Sequence, residues 1–313
     1  MQQWPFAFLS ILMSFLKNLA LVPLAGLLTG TAVLLTAELA VGYPSRRTAD
    51  VAYVDRAAPD FDPKGHLLDV YQPKKAAPTA AGYPVVLFIH GGSWNSGSKD
   101  FYSFIGRRLA KQGVVAVVIN YRLAPQVEIP VMADDCARAL AWTVQNIGRY
   151  GGNPSRIFTM GHSAGGGLAA LLATDNELLA RHGLGQNPVR GAILDDPAGL
   201  DMYTYLSKLE YPGDAQYLIP WGKDPAVWKR YSALYYLTPA APPILLFIGG
   251  KTYPSITNSS LKFQKQLVAL GHPTAYTVLP GKKHIPMLLQ LYWQHNVIYK
   301  ALLQLVGRPA PAG

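Results

Sequence analysis

The stretch that decides the fold is Ile157-Phe-Thr-Met-Gly-His-Ser-Ala-Gly-Gly166. An apolar run ends at Gly161, one serine follows between small residues, and a run rich in alanine and leucine comes next. This order predicts a strand, a tight turn and a helix, with Ser163 at the tip of the turn. Glycines at 161 and 165 fit such a turn, because side chains there would collide with the neighbouring strand and helix. The serine hydroxyl would then be exposed at the carboxyl edge of a sheet.

Strand-like and helix-like patterns alternate on both sides of this stretch. Continuous apolar strands that alternate with helices indicate an α/β fold, with a mostly parallel central sheet and helices on both faces. The predicted strands are 51–55, 67–71, 84–89, 114–120, 156–160, 189–194, 244–248 and 275–279. The predicted helices are 101–112, 131–147, 165–173, 259–270 and 285–306.

Two segments do not fit the alternation. Residues 197–240 are rich in Tyr, Trp and Pro and are predicted to form a small inserted cap. Their aromatic side chains suit either an apolar pocket for an acyl or alcohol group or packing within the cap itself. Residues 43–50 are predicted to be a linker, so that the main domain covers residues 43–313.

The amino-terminal segment, residues 1–42, is strongly apolar. Lys17 is the one charged residue among the first 37, and residues 19–37 form an uncharged run of 19. Because about 20 apolar residues span a bilayer as a helix, we expect an N-terminal hydrophobic helix that anchors the chain to a membrane, on an undetermined side. The alternatives are a signal peptide, whose cleavage would leave a secreted or periplasmic protein, and a buried helix.

Composition narrows the classes of partner. The 313 residues carry a net charge of +10, yet the basic residues are scattered singly or in pairs, without an arginine-rich helix or zinc-finger spacing. We therefore expect no nucleic-acid partner, whereas a basic surface near an anionic membrane is favoured. Cys136 is the only cysteine, which excludes an intramolecular disulfide and a cysteine-based metal cluster. We predict neither a metal nor an organic cofactor.

A serine nucleophile needs a base within hydrogen-bonding reach, and the base needs a group that orients it. Among seven histidines, His284 lies just after the last predicted strand, in a loop from which it could reach Ser163. His162 is adjacent to the serine in sequence and is expected to point elsewhere, in a structural role. His284 is therefore the predicted base.

A glycine-rich loop follows the predicted strand 84–89. Its sequence is His90-Gly-Gly-Ser-Trp94, and consecutive glycines let backbone N–H groups face a cavity. A tetrahedral intermediate needs such donors for its oxyanion. The predicted donors are the N–H groups of Gly91 and Gly92, together with that of Ala164, which follows the nucleophile.

With these motifs, residues 50–306 resemble the α/β-hydrolase superfamily. Within it, they resemble the carboxylesterase and hormone-sensitive-lipase-like branch. That branch also contains kynurenine formamidase and isoprenylcysteine methylesterase. The resemblance implies an α/β-hydrolase fold and hydrolysis of a small-molecule carboxylic ester through an acyl-enzyme. The motifs that carry it are His90–Trp94, Tyr121-Arg-Leu-Ala-Pro125, Asp134-Asp135 at the start of a helix, Tyr150-Gly-Gly-Asn-Pro154 and Gly161-His-Ser-Ala-Gly-Gly166.

The third member of the triad departs from that branch. Its acid usually lies in a Gly-x-x-Asp turn after the strand before last, where this chain has Thr252, and residues 225–313 contain no Asp or Glu. The segment Leu194-Asp-Asp-Pro-Ala198 resembles the acid loop of pancreatic-type lipases and chlorophyllase-like hydrolases. Asp196 is therefore the predicted acid, with Asp195, Asp201 or no acid at all as alternatives.

The sequence thus predicts a serine hydrolase with a Ser-His-Asp triad that acts on lipophilic or small acyl esters. One alternative is an amidase, formamidase or peptidase on the same fold. The other is a non-catalytic binding protein with a hydrolase fold, which the displaced acid would explain.

Overall fold

The computed structural model describes residues 45–77, 79–272 and 275–307, which contain one sheet of eight strands. The strand order is β1-β2-β4-β3-β5-β6-β7-β8. The strands are β1 (Ser45–Ala52), β2 (Leu67–Pro73), β3 (Tyr83–Ile89), β4 (Val115–Ile119), β5 (Gly152–His162), β6 (Val189–Asp195), β7 (Ile244–Gly249) and β8 (Ala275–Leu279). Strands β3 to β8 are parallel, and β2 is antiparallel to both β1 and β4. The predicted α/β fold with a mostly parallel sheet is confirmed.

Helices follow most of the strands. They are α1 (Ser103–Lys111), α2 (Ile129–Asn146), α3 (Ala164–Thr174), α4 (Asn176–Ala180), α5 (Met202–Lys208), α6 (Leu218–Trp221), α7 (Pro225–Arg230), α8 (Pro254–Ala269), α9 (His284–Leu289) and α10 (Val297–Gly307).

Two apolar clusters cover the two faces of the sheet. On β3, Val85, Leu87 and Ile89 belong to one cluster, whereas Val86 and Phe88 belong to the other. This alternation follows from the two-residue period of a strand. Side chains of α2 and α3 complete the first cluster, and side chains of α1 and α10 complete the second. Helices therefore cover both faces, which leaves the strand ends for loops.

The first strand begins earlier than the sequence predicted. Residues 45–52, most of them predicted to be a linker, form β1 and pair with β2, with Ser45 opposite Pro73 and Thr48 opposite Val70. The segment is an edge strand of mostly polar residues, none of them fully buried, so it lacks the apolar run that identifies a buried strand. Its stability comes from backbone pairing and from ion pairs, which a hydropathy pattern does not reveal.

Two helix predictions also need correction. The predicted closing helix 285–306 is divided into α9, the 3₁₀ turn Gln290–Tyr292 and α10. The Asn296 side chain accepts a hydrogen bond from the Tyr299 N–H at 2.9 Å and caps the start of α10. Helix α2 begins at Ile129, so Asp134 and Asp135 lie inside the helix rather than at its start.

The segment between β6 and β7 contains α5, α6 and α7, in the region predicted as a cap. Several of its aromatic side chains pack on one another or on the loop after β3. Tyr205 meets Tyr217 edge to face at 5.9 Å, and Trp221 meets Trp94 at 5.3 Å. The boundaries 197–240 and 43–313 remain predictions.

The predicted N-terminal helix and membrane anchor, residues 1–42, lie outside the described residues. Within the part of the chain that the structure describes, no helix is both long and apolar enough to cross a bilayer.

A buried ion cluster joins β1, β2 and the loop before α1. The Lys99 ammonium lies 2.6 Å from Asp50 and 2.9 Å from Asp69, and the Lys99 and Asp69 side chains are 2% and 0% exposed. Arg47 also contacts Asp69, at 2.6 Å. Burial alone would raise the pKa of Asp69, but hydrogen bonds from Lys99 and the Asp50 N–H lower it below its usual value.

We predict that Lys99→Met lowers the free energy of unfolding by about 3–5 kcal/mol, because the buried Asp69 carboxylate loses a cation. Since the pKa of Asp69 is lowered in the folded state, its stabilisation is present above about pH 4 and is lost as the pH falls. The difference in the free energy of unfolding between parent and variant should therefore be largest above about pH 4 and shrink as the pH falls. Urea and acid titrations followed by circular dichroism test this, with the exposed Lys265→Met as the control. Equal stability of the two variants would contradict it.

Candidate functional site

The turn between β5 and α3 holds Ser163 in a strained backbone conformation, with φ 55° and ψ −126°. A Cβ atom at Gly161 would lie 2.2 Å from the Gly165 carbonyl oxygen, and one at Gly165 would lie 2.1 Å from that of Ile89. Neither approach is possible for a side chain. The steric reason that the sequence suggested for both glycines is therefore confirmed.

Three predicted site residues meet at the carboxyl ends of the strands. His284 Nε2 lies 2.8 Å from Ser163 Oγ, and His284 Nδ1 lies 2.6 Å from Asp196 Oδ2. Because a carboxylate only accepts hydrogen bonds, Nδ1–H donates to Asp196, and Nε2 is left to accept from the serine hydroxyl. Ser163 and Asp196 are buried, and the His284 side chain is 12% exposed. The predicted base is thus hydrogen-bonded to Asp196 on one side and to the predicted nucleophile on the other.

Asp196 is fixed from three directions. It follows β6 with φ 49°, and its N–H donates to the Phe247 carbonyl at 2.8 Å. Its Oδ1 accepts from the Gly249 N–H at 2.8 Å, and its Oδ2 accepts from the Thr252 hydroxyl. Thr252, which stands where the resemblance implied an acid, is therefore a hydrogen-bond donor to the Asp196 carboxylate after the neighbouring strand.

The two alternative acids lie elsewhere. Asp195 Oδ2 lies 3.0 Å from His162 Nδ1. Asp201 accepts from the Thr204 N–H at the start of α5, from the Tyr235 hydroxyl and from Lys262 Nζ. Of the three candidate aspartates, Asp196 alone makes a hydrogen bond to His284 among the described contacts.

His162 does not point away from the site, contrary to the prediction. Its ring centroid lies 4.7 Å from that of His284, with the ring planes 31° apart. Tyr253 contacts the same His284 ring at 5.2 Å. Adjacent residues of a straight strand point to opposite faces, but the sharp turn after β5 changes the direction of Ser163 and removes this separation.

The glycine-rich loop lies beside the nucleophile. A Cβ atom at Gly91 would meet Ser163 Cβ at 3.1 Å, and Ser93 and Trp94 have φ values of 52° and 60°. The Gly91 N–H is directed toward the Tyr102 hydroxyl. The pKa of Tyr102 is raised to about 12, because the effect of burial exceeds the opposing effect of this N–H. Gly92, with φ 129°, comes next in the loop. The assignment of the Gly91, Gly92 and Ala164 N–H groups as oxyanion donors stays a prediction.

Side chains from the cap region and the core brace this loop. The Tyr217 hydroxyl is hydrogen-bonded to Ser93. The pKa of Tyr217 is raised above its usual value, because the effect of burial exceeds the opposing effect of this hydrogen bond. His90 stacks on Tyr121 at 4.5 Å, and burial lowers its pKa to about 4, so it is neutral at pH 7. The loop is therefore held between the cap region and the core in its strained form.

The described residues contain no candidate set of metal ligands. In the ranges 45–77, 79–272 and 275–307, no group of three His, Cys, Asp or Glu side chains is arranged to hold an ion. Cys136 is buried in α2, and burial raises the pKa of its thiol, which makes it a poor nucleophile.

The family model described as BD-FAE matches residues 68–267, which is more than half of the chain. The chain belongs to the BD-FAE family. The resemblance to α/β-hydrolases that its motifs indicated is confirmed. The match begins in β2 and ends in α8, so it includes Ser163 and Asp196 but stops before His284.

Relatives with established names are similar over most of the chain. An isoprenylcysteine alpha-carbonyl methylesterase of Arabidopsis thaliana is 31% identical over 66% of this chain and 51% of its own length. Esterase LipC of Mycobacterium tuberculosis is 29% identical over 79% and 66%. Kynurenine formamidase of Danio rerio is 25% identical over 84% and 86%. The chain spans about half the length of the methylesterases that it matches.

Solved structures establish the fold. Esterase B from Lactobacillus rhamnosis superimposes with a TM-score of 0.69 at 23% identity, over 90% of this chain and 94% of its own. A Pyrobaculum calidifontis esterase gives a TM-score of 0.68 at 21% identity, over 95% and 97%. The eight-stranded sheet and its helices are thus an α/β-hydrolase fold.

We predict that Gly165→Ala prevents the turn at Ser163 from forming, because its Cβ would overlap the Ile89 carbonyl. The variant should be destabilised by more than about 3 kcal/mol or remain unfolded. Gly148→Ala is the control, since a Cβ atom at that position would have no neighbouring atom within 4 Å. Thermal unfolding measures both; a melting temperature for Gly165→Ala equal to that of the control would refute the steric argument.

Proposed function

We propose that the protein is a serine hydrolase that cleaves carboxylic esters through an acyl-enzyme. The observation that carries the proposal is that His284 hydrogen-bonds to Ser163 through one ring nitrogen and to Asp196 through the other. A catalytic base needs both contacts, because one receives the proton and the other keeps the ring in the correct tautomer.

In the proposed first step, Ser163 Oγ attacks the ester carbonyl carbon as its proton passes to His284 Nε2. The carbonyl π electrons move to the oxygen, which becomes an oxyanion. The N–H groups of Gly92 and Ala164 would stabilise it, and the Gly91 N–H would join them if its contact with Tyr102 opened. Asp196 stabilises the imidazolium. Collapse of the intermediate expels the alcohol, which takes the proton from His284, and water then releases the acid by the same steps in reverse.

The surface beside His284 favours lipophilic esters. Tyr253, whose ring centroid lies 5.2 Å from that of His284, is 58% exposed, and Ile285, which directly follows the base in sequence, is 39% exposed. Exposed large apolar side chains around a reactive centre can cover the apolar part of a substrate. Of the relatives, the methylesterases and esterase LipC are named for ester hydrolysis, which supports the same reaction class.

We further propose that the apolar segment 1–42 anchors this hydrolase to a membrane, which would bring it close to lipophilic substrates. The uncharged run at residues 19–37 supports the proposal. Separation of cell membranes and measurement of the protein in each fraction test it. Recovery of a protein shortened at its amino terminus in the soluble fraction would instead support a cleaved signal.

A second candidate activity is the hydrolysis of an amide or formamide. It is favoured by the similarity to the kynurenine formamidase, which extends over 84% of this chain. The attack on the carbonyl is the same for both classes, so parallel assays with p-nitrophenyl esters and N-formyl arylamines decide between them.

We expect the full-length protein in detergent to hydrolyse short p-nitrophenyl esters and to be labelled at Ser163 by a fluorophosphonate. Ser163→Ala should abolish both. Asp196→Asn should lower kcat by about 10⁴, as loss of a triad acid does, whereas Asp201→Asn should retain activity. Absence of turnover and labelling in the parent protein would exclude the esterase proposal. Full activity of Asp196→Asn with an inactive Asp201→Asn would move the acid to Asp201.

We also predict that Thr252→Val lowers kcat by about tenfold without a large change in KM. The valine keeps the shape of the side chain but removes a donor to the Asp196 carboxylate, and one hydrogen bond to a charged group contributes about 1.5–3 kcal/mol. Steady-state kinetics on the same ester provide the measurement. Thr257→Val, on α8 and outside the triad contacts, is the control, and equal kcat values for the two variants would contradict the role.

A further inference from the structure

A second histidine–aspartate pair lies beside the one that orients the base. His162 ends β5 and Asp195 ends β6, and the register of the two strands places them opposite each other. His162 Nδ1 lies 3.0 Å from Asp195 Oδ2, with the side chains 3% and 0% exposed. Each member immediately precedes a member of the triad, Ser163 or Asp196. The second pair is therefore built from the same two strand ends as the first.

The second pair touches the catalytic base through its ring. The His162 and His284 centroids are 4.7 Å apart, closer than the 5.2 Å between His284 and Tyr253. Hydrogen bonds restrain both His284 ring nitrogens, because Nδ1–H donates to Asp196 and Nε2 accepts from Ser163. They still allow the ring to rotate about the line that joins these two contacts. A packed neighbouring ring restricts this rotation. His162 is itself held in place by Asp195.

Asp195 is costly for the fold. Its Oδ1 is buried and has no hydrogen-bond partner among the described residues. Burial raises its pKa, while the nearby His162 opposes the rise. An apolar pair of similar volume would serve packing alone at lower cost, because buried charges are expensive to desolvate. An incompletely paired carboxylate next to a reactive centre therefore calls for a functional explanation.

We infer that His162 and Asp195 are a positioning pair for the catalytic base. The His162 ring holds the His284 imidazole in the plane that joins Ser163 to Asp196, and Asp195 places a second carboxylate near the imidazolium that forms when His284 takes the serine proton. This inference rests on the proposed esterase function. It assigns neither residue a direct contact with the substrate.

The test uses two variants of the full-length protein, His162→Asn and Asp195→Asn. The first removes the ring that packs on His284; the second keeps a hydrogen-bond acceptor for His162 but removes the charge. We expect each to lower kcat for a p-nitrophenyl ester by about 10- to 100-fold, less than the roughly 10²–10³-fold loss for a direct oxyanion donor. KM should stay within about twofold, since no substrate contact is lost.

A matched control comes from another buried pair, in which His66 Nε2 lies 3.0 Å from Asp135 Oδ1 and both side chains are 0% exposed. His66→Asn should lower the melting temperature but leave kcat within twofold. If His66→Asn lowers kcat as much as His162→Asn does, the role of His162 is purely structural and the inference fails.

Two further outcomes would overturn the inference. Both site variants could retain the kcat of the parent, or Asp195→Asn could lose as much activity as Asp196→Asn, which would make Asp195 the triad acid. Failure of the proposed function is recognised separately, because the parent protein itself would then show neither turnover nor fluorophosphonate labelling. If Asp195→Asn does not fold, His162→Phe, which keeps a ring against His284, should retain more activity than His162→Asn.

Discussion

The rest of the site depends on one strained turn, in which the backbone of Ser163 has a positive φ between β5 and α3. Its N–H donates to the Asp195 carbonyl at 3.1 Å, and its carbonyl accepts from the N–H groups of Gly166 and Ala198, both at 2.9 Å. These bonds offset a conformation that costs a non-glycine residue about 1–3 kcal/mol. They also join the nucleophile to the loop that carries Asp196, so the position of one fixes the position of the other.

Strain is concentrated around this centre. Among the described residues, six non-glycine residues have positive φ, and four of them lie in the nucleophile turn, the acid turn or the glycine-rich loop, namely Ser93, Trp94, Ser163 and Asp196. The cap region braces the glycine-rich loop through Trp221 and Tyr217, and β7 braces Asp196 through the Gly249 N–H. Contacts from the cap region, the sheet and the loop after β7 thus all restrain the site. They keep its side chains and backbone N–H groups in place before a substrate binds.

The position of Asp196 illustrates how the ends of neighbouring parallel strands can bring a carboxylate to the same histidine. The carboxyl ends of β6 and β7 are adjacent, so a carboxylate on either can reach the same histidine. When the acid is on β6, the β7 turn is free to supply donors, and here it supplies the Gly249 N–H and the Thr252 hydroxyl. The β6 turn thus carries the carboxylate that meets His284, and the β7 turn carries two hydrogen-bond donors to that carboxylate.

The sequence by itself determined the alternating architecture, the nucleophile turn and the histidine loop, because apolar runs, glycines and short motifs report local sterics. It placed the first strand at 51–55, whereas β1 (Ser45–Ala52) is a mostly polar edge strand that pairs with β2. It also placed His162 away from the site. The sequence favoured Asp196 but left Asp195, Asp201 or no acid open. Only the tertiary structure decided that Asp196 meets His284 and that His162 and Asp195 form a second pair against it. These choices depend on distances between strand ends far apart in the chain, and local sequence patterns carry no information about such distances.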